Sequence, residues 1–270
     1  SSDLPVPGGR HLVGTLVVVS GAVALRAQRS APAQSSQPWR TRYTFDDLLG
    51  ATPCFQACVM QARQAARSDF PVLLLGESGA GKELLAQSIH AASARARGPF
   101  VPVNCGASSD ELLAAELFGY VEGAFTGAVK GGRKGKLELA HGGALFLDEV
   151  EAMSPKMQVS LLRVLEEGRM TRVGGEHPVT VDVRIIAAAN EDVAAAVREK
   201  RFRLDLYHRL ATLPIALPPL RERVDDLPIL ARALLDRLGY PHVQVAEDAL
   251  KLLRGYAWRS EEHTSELQSP

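Results

Sequence analysis

The run Gly76 to Glu83 (GESGAGKE) has the composition of a phosphate cradle. Gly76, Gly79 and Gly81 free the backbone to turn its N–H groups toward one point, and a helix starting at Lys82 adds the positive end of its dipole there. Lys82 supplies a point charge for the β and γ phosphates of a nucleotide. Glu77, Ser78, Ala80 and Glu83 complete the loop. Glu83 stands where a Ser or Thr hydroxyl ordinarily helps to hold Mg²⁺, so the metal must be held mostly by other groups and by water. Hydrolysis needs two further parts, and Asp148 and Glu149 suit them: Asp148 holds Mg²⁺ through its water shell, and Glu149 polarises the attacking water. Asn104 is placed to hydrogen-bond Glu149 and restrain it, and Asn190 to report the γ phosphate, although either alone also fits ordinary hydrogen bonding at a strand end. Arg203 and Arg209, in RFRLDLYHRL, carry planar donors suited to a phosphate on a neighbouring subunit. Salt bridges to Asp205 or Glu199 account for them equally well.

These groups must be delivered by strands and helices. Pro71 to Leu75 (PVLLL) reads as a buried strand, and Lys82 to Ala94 as a helix with Leu84, Leu85, Ile89 and Ala92 on one side. A helix over Phe55 to Arg67 leads into that strand. Phe100 to Asn104 (FVPVN) is a second strand, followed by a helix to Phe118 with Ser108 and Glu111 as a capping box. Ala144 to Asp148 (ALFLD) is a third strand, which delivers its carboxylates at the C-terminal end, where parallel sheets place their ligands. Ser154 and Pro155 start a helix running to about Glu167. Val183 to Ala188 and Leu213 to Leu217 are the fourth and fifth strands, and Val224 to Leu238 begins a small helical lid. The alternation specifies a parallel five-stranded α/β sheet flanked by helices.

Two inserts interrupt that rhythm. Gly119 to Lys134 carries Gly123, Ala124, Phe125, Thr126, Gly127 and Ala128 (GAFTGA), an aromatic held between small residues in a stretch too glycine-rich to be a buried element. An aromatic so placed points to contact with a partner. Arg172 to Val179 (RVGGEHPV) again pairs glycines with a turn. Both lie beyond elements that flank the nucleotide, so nucleotide state is expected to move them.

The bulk composition sets limits on partners. In 270 residues, 31 basic side chains balance 31 acidic ones, so no net field recruits nucleic acid or an anionic membrane. Cys54, Cys58 and Cys105 form neither a disulfide framework nor a zinc site and fit a reducing cytoplasm. The apolar run Leu12 to Leu25 is shorter than the ~20 residues of a membrane span. Residues 1–26 read as the end of an upstream sensor domain, 27–42 as a Pro/Ser-rich linker, 43–220 as the α/β unit and 221–258 as a partial lid.

Taken together, the residues from about Tyr43 to Trp258 resemble the central AAA+ domain of bacterial enhancer-binding proteins, the activators of sigma-54 RNA polymerase. The resemblance implies a doubly wound P-loop ATPase that uses ATP and Mg²⁺ and works as a homo-hexameric ring. Gly76 to Glu83 then look like Walker A, Asp148 and Glu149 like Walker B, Asn104 like the switch asparagine, Asn190 like sensor I, and Arg203 and Arg209 like the arginine fingers. GAFTGA matches the loop that engages sigma-54, with RVGGEHPV as its support. The implied function is remodelling of the closed promoter complex, with enhancer DNA bound through a helix-turn-helix domain expected beyond this chain. Residues 1–26 are similar to the end of a GAF-like sensor. Ala80, Ala144 and Ala189 stand where the family commonly has Thr, and residues 259–270 read as a translated sequencing adapter in place of the rest of the lid and its sensor II arginine. Another AAA+ protein- or DNA-remodelling motor would share the ATP site, and a cut lid would leave a nucleotide-binding fragment with impaired turnover.

Overall fold

The computed structural model describes residues 39–258, apart from Ser108, Glu191 and Ala257. The expectations for residues 1–38 and 259–270 lie outside it. Five strands form one parallel sheet: β1 (Val72–Leu75), β2 (Phe100–Asn104), β5 (Ala144–Asp148), β8 (Arg184–Ala189) and β9 (Leu213–Ala216), in the order β2-β5-β8-β1-β9. Two short antiparallel hairpins lie outside it, one of β3 (Gly119–Tyr120) with β4 (Arg133–Lys134) and one of β6 (Arg169–Thr171) with β7 (Pro178–Thr180). The helices are α1 (Pro53–Ala66), α2 (Lys82–Ala91), α3 (Asp110–Phe118), α4 (Lys136–Leu139), α5 (Pro155–Glu167), α6 (Val193–Arg198), α7 (Leu204–Leu210), α8 (Leu227–Arg237) and α9 (Glu247–Gly255).

Because both faces of the sheet are covered, its strands are mainly apolar, and alternate residues feed two separate cores. Leu73, Val101, Val103, Leu145, Leu147 and Ile185 pack with α3, α5, α6 and α7. Val72, Leu74, Phe146, Ile186 and Ile215 pack with α1 and α2. The small side chains of Ala187, Ala188 and Ala189 on the central β8 are fully buried and leave room for helices on both sides. Arg184 opens that strand at 2% exposure, and one of its guanidinium nitrogens donates to the carbonyl of Ala65 at 2.7 Å.

The expected strands and the α5 cap are present: the Ser154 hydroxyl accepts the N–H of Met157. Helix α1 starts two residues earlier than expected, at Pro53, and ends at Ala66, while β1 and β9 are each one residue shorter, Val72–Leu75 and Leu213–Ala216. Other boundaries differ for reasons that the packing shows. Helix α2 stops at Ala91 and buries Lys82, Gln87, Ser88 and His90 beside its apolar residues, because it is enclosed by the sheet and α1, whereas Ala92 is exposed. Helix α3 starts at Asp110 with Ser109 at its N-cap and no capping bond from that side chain, while the expected capping residue Ser108 lies outside the described residues. The fourth strand runs from Arg184 to Ala189. The stretch from Val224 opens as a 3₁₀ turn, Val224–Asp226, because Asp226 is drawn into bonds with residues 51–52; the α-helix begins only at Leu227.

Candidate nucleotide site and its two outer loops

Lys82 is the centre of the site. It is 6% exposed at the first position of α2, and its ammonium donates to the carbonyls of Gly76 and Glu77 at 2.7 and 3.0 Å and to Oδ1 of Asn190 at 2.5 Å. Burial holds the ammonium below its ordinary pKa, while Asp148, Glu151 and Glu149 pull it back up. The loop glycines act for different reasons. Gly79 and Gly81 adopt left-handed φ of 81° and 101°, which only glycine takes without strain. Gly76 instead lies close against the end of β9, where a Cβ would sit 3.1 Å from that of Leu217. Ser78 is exposed, and Glu83 turns away along the helix, its Oε1 accepting from Gln87 at 3.1 Å.

The carboxylates arrive on β5, two strands from β1 with β8 between. Asp148 accepts the N–H of Glu149 at 3.0 Å, and burial raises its pKa against the lowering effect of Lys82. Glu149 has φ 55°, a left-handed conformation that a non-glycine residue adopts only where its surroundings enforce it, as at strained functional positions. Asn104 is paired in register with Asp148, but its Oδ1 accepts the N–H of Gly106 at 2.8 Å rather than bonding Glu149. The link is one step longer: a Cβ on Gly106 would run into Oε2 of Glu149, so the turn that Asn104 ties down packs directly on that carboxylate.

Glu151 went unrecognised in the sequence. Its Oε1 accepts the N–H of Asn190 at 2.8 Å, while Oε2 is buried without a hydrogen-bond partner, and burial raises its pKa. An orphaned carboxylate oxygen beside Asp148 and Lys82 fits a site built to face a cation and its water shell. Among the described residues no group of three or more metal-ligating side chains occurs, so Mg²⁺ would rest on Asp148, phosphate oxygens and water. The apolar cleft beside the loop is lined by Leu49, Phe55, Ala80, Leu84, Leu220 and Leu230 and suits a flat base.

Arg203 stands at the N-cap of α7 and Arg209 in its last turn, and the polar partners of both lie away from their own phosphate loop. Arg203 forms a bidentate pair with Asp205 at 3.0 and 2.7 Å, and Arg209 donates to the carbonyl of Leu165 at 2.9 Å. The fully buried Gln158 fixes this segment to α5 by accepting the N–H of Arg203 and donating to the carbonyls of Met153 and Arg201.

The GAFTGA loop closes the β3–β4 hairpin at the far end of α3. Gly123 and Gly127 take left-handed turns, and Phe125, 42% exposed, lies edge-on to Tyr120 with ring centroids 4.9 Å apart. The β6–β7 hairpin stands behind it. Val121 donates to the carbonyl of Val173 and Val173 to that of Gly119, and Gly174 comes so close that a Cβ would lie 2.9 Å from that of Ala124. Arg172 anchors this hairpin to α4 through two 2.7 Å bonds to Glu138, holding the Glu138 carboxyl below the usual range. The two loops are therefore one packed unit. One hangs from α3, which follows the strand ending at Asn104; the other hangs from α5, which follows Glu149.

The profile of the sigma-54 interaction domain matches residues 48–216, more than half of the chain. The chain belongs to the sigma-54 interaction domain family. A Nif-specific regulatory protein of Azotobacter vinelandii is 48% identical over 81% of the chain and 42% of that protein. A signal-transduction and transcriptional-control protein of Clostridium beijerinckii is also 48% identical, over 80% of the chain and 35% of that protein. NtrX of Brucella abortus, solved in complex with ATP, superposes with a TM-score of 0.71 at 36% identity over 78% of the chain and 49% of NtrX. The chain thus spans less than half the length of each. Its sigma-54 interaction domain has the AAA+ ATPase fold, and among the described residues no helix is long and apolar enough to cross a membrane.

Proposed function

We propose that this sigma-54 interaction domain binds and hydrolyses ATP and uses the cycle to drive the GAFTGA loop against sigma-54 in a closed promoter complex of RNA polymerase. The likeness to NtrX, solved with ATP and with ADP, supports an adenine nucleotide in the cleft. Residues 76–83 and Lys82 hold the phosphates, and Asp148 carries Mg²⁺ through water. The bound metal would neutralise charge developing on the transferred phosphoryl oxygens. Glu149 orients the attacking water and accepts its proton. Asn104 controls that carboxylate through Gly106, and Asn190, bonded to Lys82, is placed to register the γ phosphate. Arg203 and Arg209 face outward to serve the site of a neighbouring subunit in a homo-hexameric ring. Enhancer DNA is bound by a helix-turn-helix domain elsewhere in the whole protein, which acts in the cytoplasm.

The observation that carries this reading is the course of two helices. Helices α3 and α5, about 13 and 20 Å long from their 9 and 13 residues, each start near a nucleotide-facing group and end at one half of the packed loop unit. A displacement at Asn104 or Glu149 is passed to both halves at once. The test is Thr126→Ala, on the exposed loop: hydrolysis is expected to stay within about twofold of the parent, while capture of sigma-54 with an ADP–metal fluoride complex is lost. Equal loss of both activities would refute the separation of motor from contact surface.

A further inference from the structure

The chain passes from β9 to α8 through residues 217–226, and this crossing is fastened at two points of different kind. The inner point is buried. Asp226, with no exposed surface, accepts the N–H groups of Ala51 and Thr52 at 2.6 and 3.0 Å and the Thr52 hydroxyl at 2.8 Å. Arg223 pairs with it at 3.0 Å, donates to the carbonyl of Leu49 at 2.6 Å and stacks 3.6 Å above the ring of Phe55. Separating such a pair would strand a charge away from water, so this point behaves as a fixed pivot.

The outer point is half exposed. Arg221 meets Glu77 through two contacts, Nη1 to Oε2 and Nη2 to Oε1, both at 2.7 Å, and the pair holds the Glu77 carboxyl below its usual range. An exposed pair adds little to folding stability, but this one occupies a particular place. Glu77 is the second residue of the phosphate loop, and its backbone carbonyl accepts the ammonium of Lys82. Its side chain therefore answers to the segment leading into α8, while its backbone answers to the lysine that faces the phosphates. The apolar cleft lies between the two fastenings, with Leu49 and Phe55 on the pivot side, Ala80 and Leu84 on the loop side, and Leu220 and Leu230 on the crossing and α8.

We infer that Arg221 is a positioning residue for nucleotide: it ties the phosphate loop, at Glu77, to the base of α8, so that loop and cleft close on one ligand as a single body. This rests on the nucleotide reading of the site. Arg221 touches no reacting atom. Removing it leaves the pivot intact but lets the loop and the α8 wall engage phosphate and base independently, which weakens binding without altering the chemical step.

The test is titration of the whole chain with a fluorescent ADP derivative, beside steady-state ATP hydrolysis. Arg221→Met is expected to raise the ADP dissociation constant about three- to fivefold, to raise the KM for ATP in parallel, and to leave kcat within about twofold and the thermal midpoint unchanged. Arg221→Lys, which keeps the charge but loses the fork, should recover part of the loss. Glu77→Gln should weaken binding to a similar degree, and the double variant should be no weaker than either single one, since both remove the same link. Unchanged ADP binding in Arg221→Met, losses that add in the double variant, or a fall in kcat at constant KM would each overturn the inference. Lys82→Ala separates the two levels: if it abolishes binding while Arg221→Met does not affect it, only the coupling role fails. If Lys82→Ala binds as the parent does, or the parent binds no nucleotide, the nucleotide reading falls and the inference with it.

Discussion

The phosphate loop and the GAFTGA loop are both glycine-bearing turns, yet their surroundings are opposite. At the first, Lys82 is nearly sequestered, with acceptors from its own loop and from Asn190, and β1, β8 and β5 run side by side beneath it. At the second, Phe125 keeps 42% of its surface exposed, and its aromatic contact is the edge of Tyr120. A small, highly charged ligand is best held by groups already oriented and partly stripped of water, so that little reorganisation opposes binding. A protein partner needs the reverse, apolar surface left exposed on a backbone that can travel. Under the proposed function, the difference lets one domain use glycine both in an enclosed phosphate cradle and on an exposed contact loop.

The comparison is broken most severely by Glu149→Gln. Hydrolysis should fall about 10²- to 10⁴-fold with loss of the base, while ADP binding stays within about twofold, because the proposed phosphate contacts come from residues 76–83, in the loop after β1 and the start of α2. Hydrolysis near the parent rate would remove Glu149 from the mechanism.

Two phenylalanines sharpen the contrast in stability. Phe146 on β5 is 2% exposed and stacks on Phe100 at 5.8 Å, so Phe146→Ala should lower unfolding free energy by about 3–5 kcal/mol in urea titration. Phe125→Ala should change it by less than about 0.5 kcal/mol. A large loss at Phe125 would mean that its ring supports the fold rather than being presented to a partner.

The smaller effect lies in the strut between the loops and the body. Arg172→Met removes both bonds to Glu138 and leaves its carboxylate, 9% exposed, without its partner, at about 1–2 kcal/mol. Because the folded Glu138 pKa is lowered, the stabilisation is complete above the ordinary carboxylate pKa and disappears as pH falls through the depressed value. The parent and the variant should therefore differ fully at neutral pH and converge in acid. A difference that persists or grows in acid would refute the assignment.

What could be read along the chain was whatever is encoded by neighbours. The strand PVLLL, the glycine loop and the helix after it form one contiguous signal, as do ALFLD with its paired carboxylates and Ser154-Pro155 at a helix start. Backbone turns and periodic burial depend on residues a few positions apart, and such patterns survive in one dimension. Helix limits were less legible: α2 buries polar residues wherever its neighbours enclose it, and α8 starts late because Asp226 is claimed by residues 51–52.

The tertiary structure alone decided the long-range pairings. Parallel pairing in the order β2-β5-β8-β1-β9 gathers Asn104, Asp148, Asn190 and Lys82 at one edge of the sheet. It also decided that Asn104 reaches Glu149 through Gly106, that Glu151 turns inward to Asn190, that Glu138 anchors Arg172, and that Arg221 reaches back 144 positions to Glu77. Acidic and basic side chains are common and carry no periodic signal. Which of them meet depends on how separate elements pack, and the order of residues in the chain leaves that packing unstated.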